Sequence, residues 1–117
     1  MIDPQRGEIW LLEFDPVRGA EIGKTRPAIV ISVPTVGKLP LRMIVPVTDW
    51  KEYFSDLRWM TEIDPTTENG LSKTSGADAF QCKSFSLERF KRKLGKVSGK
   101  NLDEIAASIA LCIGFEA

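Results

Sequence analysis

Thr25-Arg26-Pro27-Ala28-Ile29-Val30-Ile31-Ser32 sets an arginine before a proline at the mouth of an apolar run. Proline disfavours the helical region for the residue ahead of it, so Arg26 is extended. Ala28 to Ile31 is short and largely β-branched, the composition of a buried strand. The stretch predicts a strand over Arg26–Val33 that begins with a charge at the rim of a core, a placement that costs free energy unless the charge has a partner. A second apolar run, Leu41–Thr48, follows the connection Pro34–Pro40. Consecutive strands with a short connection usually pair antiparallel. If Val33 faces Leu41, the register carries Arg26 to a position opposite Thr48, with Cβ atoms about 4.5–5.5 Å apart. A slip of one residue would undo that pairing.

Upstream, Gly7–Phe14 places Trp10, Leu12 and Phe14 on one face and Ile9 and Leu11 on the other. Two apolar faces predict a strand of a barrel or small sandwich. Asp15-Pro16 ends it, and Asp15–Thr25 is a long polar loop with Gly19 and Gly23 as points of flexibility; loops of this length are often functional or disordered. Gly19 to Thr25 imitates a phosphate-binding loop, but three residues separate its glycines instead of four and a strand follows instead of a helix, so nucleotide binding is rejected.

Downstream, Asp49–Asp56 is polar with Trp50, Tyr53 and Phe54; Leu57–Ile63 predicts a strand, Asp64–Lys73 a loop, and Thr74–Lys83 a weak strand of small residues. Ser86–Phe90 reads as one helical turn and Lys93–Val97 as a last short strand. A helix is predicted with Asn101 as its N-cap and Glu104 three residues on, Leu102, Ile105, Ala106, Ile109 and Ile113 at helical spacing, and Gly114 as its stop. Such an amphipathic helix packs on the sheet, extends a dimer interface, or does both.

The 117 residues predict a single domain, 1–117, with one core. No apolar run approaches the roughly 20 residues of a membrane span, and Met1–Arg6 has no apolar signal region, which predicts a cytoplasmic protein with no membrane association. Cys82 and Cys112 form no close pair and are expected to be free thiols. The chain has no histidine. That excludes Ser-His-Asp and Cys-His nucleophilic sites, HExxH zinc sites and paired-histidine nucleases. Sixteen basic residues balance sixteen acidic ones, so net charge does not announce a nucleic-acid partner. Lys83–Lys100, however, carries seven basic residues against Glu88 alone. Two readings stand: a phosphate-facing surface, or a solvated strand and turn with edge-protecting lysines.

Arg6-Gly7-Glu8-Ile9-Trp10, then Phe14-Asp15-Pro16-Val17-Arg18-Gly19-Ala20-Glu21-Ile22-Gly23-Lys24-Thr25-Arg26-Pro27, a strand ending in Ser32, and Val45-Pro46-Val47-Thr48 together resemble the MazF/PemK (Kid) family of toxins from type II toxin–antitoxin systems. The likeness is specific over Arg6–Thr48; beyond it only length and the C-terminal helix correspond. The resemblance implies a mainly β (α+β) fold, an SH3-like small β-barrel with a C-terminal amphipathic helix, acting as a homodimer. It implies a sequence-specific endoribonuclease without metal or cofactor. Such an enzyme cleaves single-stranded RNA by 2′-OH attack, leaves a 2′,3′-cyclic phosphate and a 5′-OH, and is neutralised by a cognate antitoxin. The family's catalytic arginine falls on Arg26, its threonine on Thr48 and its loop glutamate on Glu21; its serine and glutamine of the fifth strand fall on Ser75 and Gln81. Lys24, Thr25 and Trp50 complete the candidate RNA-binding set, Trp50 and Tyr53 as faces for unpaired bases.

In that scheme Arg26 stabilises the phosphorane with forked donors, Thr48 donates to a non-bridging oxygen, and Glu21 is the base or orients Arg26. The competing reading of the same residues is structural: Arg26 caps its loop through a salt bridge with Glu21, Thr48 is an ordinary strand-end hydroxyl, and Ser75 and Gln81 support the fold. Kid-like members carry an Arg-x-Asp-Gln pattern where this chain has Asp78-Ala79-Phe80-Gln81, which puts an acid where phosphate would bind. Two alternatives stay open: a non-enzymatic toxin of CcdB type that binds a protein target, against which the Arg26/Thr48 pair argues, and a catalytically weakened RNA-binding relative, which the acid at position 78 suggests.

Overall fold

A computed structural model describes residues 2–36 and 39–115, so two residues of the Pro34–Pro40 connection lie outside the described residues. Seven strands, β1 (Glu8–Glu13), β2 (Thr25–Val30), β3 (Leu41–Asp49), β4 (Met60–Ile63), β5 (Ser75–Asp78), β6 (Lys83–Ser86) and β7 (Phe90–Lys96), precede one helix, α1 (Gly99–Cys112). They form an antiparallel sheet in the order β4-β5-β3-β2-β1-β7, with β6 attached to β3. The expected barrel class holds, although the ladder does not close. Between its two edge strands, the Asp64–Lys73 loop meets β7 through a bond from Lys96 N–H to the Glu68 carbonyl (2.9 Å).

Both faces are apolar, as the pattern of β1 requires. Ile9, Ile29, Val45 and Val47 join Ile63, Ala77, Val97 and Ile105 of α1 in one core cluster. Trp10, Leu12 and Phe14 join Ala28, Val30, Ile44, Phe85 and Phe90 in a second. The nine-residue β3 serves three neighbours: β6 along Leu41–Ile44, β2 along Ile44–Pro46, and β5 along Val47–Asp49.

Several element boundaries differ from the sequence reading, each for a local reason. β2 ends at Val30, not Val33, because Ser32 offers Met43 N–H its hydroxyl (3.2 Å) in place of a backbone carbonyl. β4 starts at Met60 because Glu52–Asp56 is a 3₁₀ turn anchored by buried Phe54. The strand expected over Thr74–Lys83 is β5 and β6, separated by a 3₁₀ turn at Ala79–Gln81 that Asp78 caps by accepting from Phe80 N–H (3.1 Å). β7 begins at Phe90, earlier than Lys93. The N-cap of α1 is Ser98, not Asn101: its hydroxyl accepts from Asn101 N–H (3.1 Å), and the Asn101 amide donates to Glu104 (3.2 Å).

Gly114 does end the helix, at φ +75°, with Gly114 N–H to Leu111 O (3.2 Å) and Phe115 N–H to Ala110 O (2.9 Å) closing a Schellman motif. Ile105 is fully buried and Leu102 and Ile109 pack on the core, but Ile113 is exposed, so the apolar stripe outruns the sheet. Both cysteines are free, and burial raises both thiols. No helix is long and apolar enough to cross a membrane.

The Arg6-Gly7-Glu8 opening has a structural job. Burial alone would raise Glu8, but Gln5 N–H (2.8 Å), Lys93 Nζ (2.9 Å) and Trp10 Nε1 (3.0 Å) outweigh it and hold the carboxyl below its ordinary 4.5. A depressed folded pKa means the unfolded chain takes up the proton first. The stability from Glu8 is therefore present above about pH 4.5 and lost as pH falls through the folded value. Glu8→Gln is expected to lower the melting temperature at pH 7 and to flatten its fall as pH drops below about 4.5. Equal slopes for variant and parent would remove Glu8 from the acid response.

Candidate active site

The hydrogen-bonded register of β2 and β3 is Ala28 with Pro46, Ile29 with Val45 and Val30 with Ile44. Continued two residues, it sets Arg26 across from Thr48, the alignment expected if Val33 faces Leu41. The ladder stops there. Pro27 and Pro46 have no N–H to donate, and β3 goes on to pair Thr48 with Gly76 of β5. Side-chain alternation puts Arg26 and Thr48 on the face of the second core cluster, beyond its polar rim.

Arg26 is half-buried, and its Nε donates to the Gly23 carbonyl (2.9 Å). Its terminal nitrogens form no ion pair among the described residues. The guanidinium is thus held by its stem with its fork free, the geometry that bidentate recognition of phosphate uses. Thr48 is also half-buried. Its partner Gly76 has no side chain, and a Cβ there would lie 2.8 Å from Met60 Cε, 3.2 Å from Trp50 Cε3 and 3.3 Å from Phe54 Cδ2. Trp50 therefore lies over bare backbone near Thr48, edge-on to Phe54 with centroids 5.5 Å apart, and Tyr53 packs on Phe54 at 4.8 Å with most of its own surface open.

The loop from Asp15 to Lys24 is strapped down by side chains. Asp15 Oδ1 accepts from Lys24 N–H (2.8 Å), and Lys24 sits at φ +66°. Gly23 is a close-approach position, not a point of flexibility: a Cβ would fall 2.8 Å from Asp15 Oδ1 and 3.2 Å from Val17. Thr25 is exposed and donates its hydroxyl to Glu13 (3.2 Å). Glu21 does not pair with Arg26. Its carboxylate accepts from Arg18 N–H (2.6 Å) and stands 3.7 Å from Lys83 Nζ, so the salt bridge of the structural reading is not formed. Ser75 is buried and donates to the Lys73 carbonyl (2.9 Å), a structural use of its hydroxyl. Gln81 is not on a strand; it accepts from Ile22 N–H (2.9 Å) and donates to Asp78 (3.2 Å).

The site also gathers residues that the chemistry-first reading passed over. Lys83 reaches Glu21 and lies 4.9 Å from the centre of the Phe85 ring. Arg89 lies 5.1 Å from the same centre and donates to the carbonyls of Glu13 and Asp15, both at 3.0 Å. The basic run Lys83–Lys100 is therefore divided: its first members brace the loop, while Lys91, Arg92, Lys93 and Lys96 are exposed on β7, Lys93 paired with Glu8. Among the described residues no acidic or thiol cluster could hold a metal ion. A groove of about 840 Å³ is lined by residues such as Ile2, Arg6, Val33 and Arg42, and by none of the candidate site residues.

The fold is a small open antiparallel barrel in which Thr48, at a strand end, lies across the continued β2–β3 register from an arginine whose terminal nitrogens have no ion pair among the described residues. Residues 5–113 match the family described as PemK-like, MazF-like toxin of type II toxin-antitoxin system, and the chain belongs to it. It is 31% identical over 113 residues to Endoribonuclease MazF9 of Mycobacterium tuberculosis, covering 92% of this chain and 93% of that protein. It is 27% identical over 111 residues to Endoribonuclease MazF of Staphylococcus saprophyticus, covering 95% and 92%. The crystal structure of MazF from Deinococcus radiodurans superposes with a TM-score of 0.79 at 25% identity, over 96% of this chain and 97% of that one. The MazF of a MazE–MazF structure from the same organism superposes at 0.71 and 25%, over 97% of both chains.

Proposed function

We propose that this chain is an endoribonuclease toxin that cleaves single-stranded RNA through Arg26 and Thr48, without metal, and that a cognate antitoxin neutralises it. The observation that carries the reading is the placement of Arg26: its stem bonded to Gly23, its fork unpaired among the described residues, and its position opposite Thr48 when the β2–β3 register is continued by two residues. With no histidine in the chain, a 2′-OH attack on the adjacent phosphate relies on charge stabilisation more than on a tuned acid–base pair. Arg26 binds the non-bridging oxygens as negative charge develops, where fixed donors are most effective. The Thr48 hydroxyl donates to the same phosphate. Trp50 and Tyr53 take flanking bases by stacking, and Lys24 and Thr25, both exposed at the loop end, face the backbone. Glu21, tied to Arg18 and Lys83, serves the loop's shape and is not positioned on Arg26.

The relatives named as endoribonucleases, and the MazE–MazF pairing seen for the Deinococcus protein, support both the activity and the antitoxin. The single domain, the homodimer, the cytoplasmic location, the cyclic-phosphate products and the sequence-specificity of cleavage belong to the same proposal. Exposed Phe80, Ile113 and Phe115 offer apolar surface that a second copy would cover.

The test is incubation of the chain with long single-stranded RNA in EDTA, with end analysis of the fragments. Discrete cuts ending in 2′,3′-cyclic phosphate are expected. Intact RNA from folded protein would transfer the proposal to a toxin that only binds its target. Thr48→Val keeps the shape and removes one donor; it is expected to slow cleavage about 10²-fold with melting and oligomeric state unchanged. Cleavage at the parent rate would take Thr48 out of the site.

A further inference from the structure

Asp78 is one of two residues, with Phe80, at which this chain leaves the Kid-like pattern, and in the fold both of its carboxylate oxygens are taken up by hydrogen bonds. One carboxylate oxygen caps the turn at Phe80 N–H (3.1 Å), and the other receives the Gln81 side-chain amide (3.2 Å). An ionised carboxylate only accepts, so it obliges the Gln81 NH₂ to point toward it and leaves Oε1 pointing away. That oxygen accepts from Ile22 N–H at 2.9 Å, which joins the 3₁₀ turn to the loop across a wide gap in sequence. The neighbour of Ile22 is Gly23, whose carbonyl receives Arg26 Nε at 2.9 Å and whose α-carbon is boxed by Asp15 and Val17.

We propose that Asp78 and Gln81 are positioning residues for Arg26: the carboxylate fixes the amide, the amide fixes Ile22, and the loop backbone so held presents the Gly23 carbonyl that aims the guanidinium. This rests on the reading of Arg26 as the phosphate-binding group. It gives the acid at position 78 a task in the site, and it makes Gln81 act through the loop instead of on the RNA.

The donor–acceptor order of the pair can be reversed without changing its shape. Gln81→Glu keeps an acceptor for Ile22 but sets two carboxylates against each other, so the side chain turns away. Adding Asp78→Asn returns a donor to face the introduced carboxylate and retains an oxygen for Phe80 N–H. The single variant is expected to lose about 10²-fold in kcat, with KM changed by about threefold or less, and the double variant to recover to within about threefold of the parent. Hydrogen exchange at Ile22 reads the same latch without RNA: slow in the parent, fast in Gln81→Glu, slow again in the double variant. A double variant that exchanges slowly yet stays as inactive as the single one overturns the proposal, since Gln81 would then be contacting RNA through its NH₂. So does a single variant that cleaves normally, or one in which Ile22 remains protected. If the parent cleaves no RNA, or Arg26→Ala cleaves as well as the parent, the reading of Arg26 fails instead, and the exchange data alone report whether the latch exists.

Discussion

Arg26→Ala is expected to lower RNA cleavage about 10³-fold or more while the fold survives, the range seen when a fixed donor or an arginine on a reacting phosphoryl group is removed. The side chain is half-buried, its Nε bond to Gly23 is its one hydrogen bond among the described residues, and it has no ion pair there. Loss of one such bond costs about 1 kcal/mol, or a melting shift of about 5 °C in a chain of this size. Cleavage rate and thermal unfolding measured on the same preparation separate the two roles. A large drop in melting temperature would make Arg26 a structural loop cap; cleavage retained within about tenfold would leave the phosphate to another group.

Gly95→Ala is expected to produce the largest loss of stability of any substitution considered for this chain. Gly95 lies on β7 opposite Ile9, with the Glu68–Gly70 segment pressed against it. A Cβ at Gly95 would collide with the Glu68 carbonyl and come within 2.6 Å of the Asn69 carbonyl carbon. These are backbone atoms, which cannot rotate aside as a side chain can. The segment is also fixed from within: Asn69 is buried, accepts from Thr66 N–H (2.9 Å) and Leu71 N–H (3.0 Å), and donates to Asp64 O (2.8 Å). Either β7 or this segment must leave its place, at a cost of about 3 kcal/mol or more. Gly99→Ala, where a Cβ would meet nothing within 4 Å at the start of α1, is the matched control and is expected to melt at or above the parent. Equal melting temperatures for Gly95→Ala and the control would show that the loop does not hold β7.

The central part of the site was legible because it depends on a short connection. A short connection between consecutive antiparallel strands allows few registers, so the apolar runs around Arg26 and Thr48 could be aligned from the ends it joins, and β2 and β3 pair in that alignment. Glu21 was not legible in the same way. A glutamate in a polar loop has many directions open to it, and its partners are decided by where Arg18 N–H and Lys83 arrive. Ser75 and Gln81 were assigned to one strand because Thr74–Lys83 is a run of small residues with weak preferences. The turn inside it is announced only by Asp78 as a cap, a signal that resembles a lost basic residue until the bond to Phe80 is seen. Asn101 with Glu104 carries a capping signature, but its own bond is to Glu104, and it is the hydroxyl of Ser98, three residues earlier, that accepts from Asn101 N–H and closes the first turn.

From the sequence alone come the alternation of β1, the antiparallel register of β2 on β3, the helix and its glycine stop, and a chemistry without histidine. All of these follow from residue periods, a short connection, local caps and composition. Long-range contacts set the lock of the Asp64–Lys73 loop on β7, the brace of Lys83 and Arg89 on the Asp15–Lys24 loop, and the bond of Gln81 to Ile22. Each of those choices joins segments far apart in the chain through one or two polar contacts. No repeating pattern marks such contacts beforehand; they form only once the apolar strands have closed the loops between them.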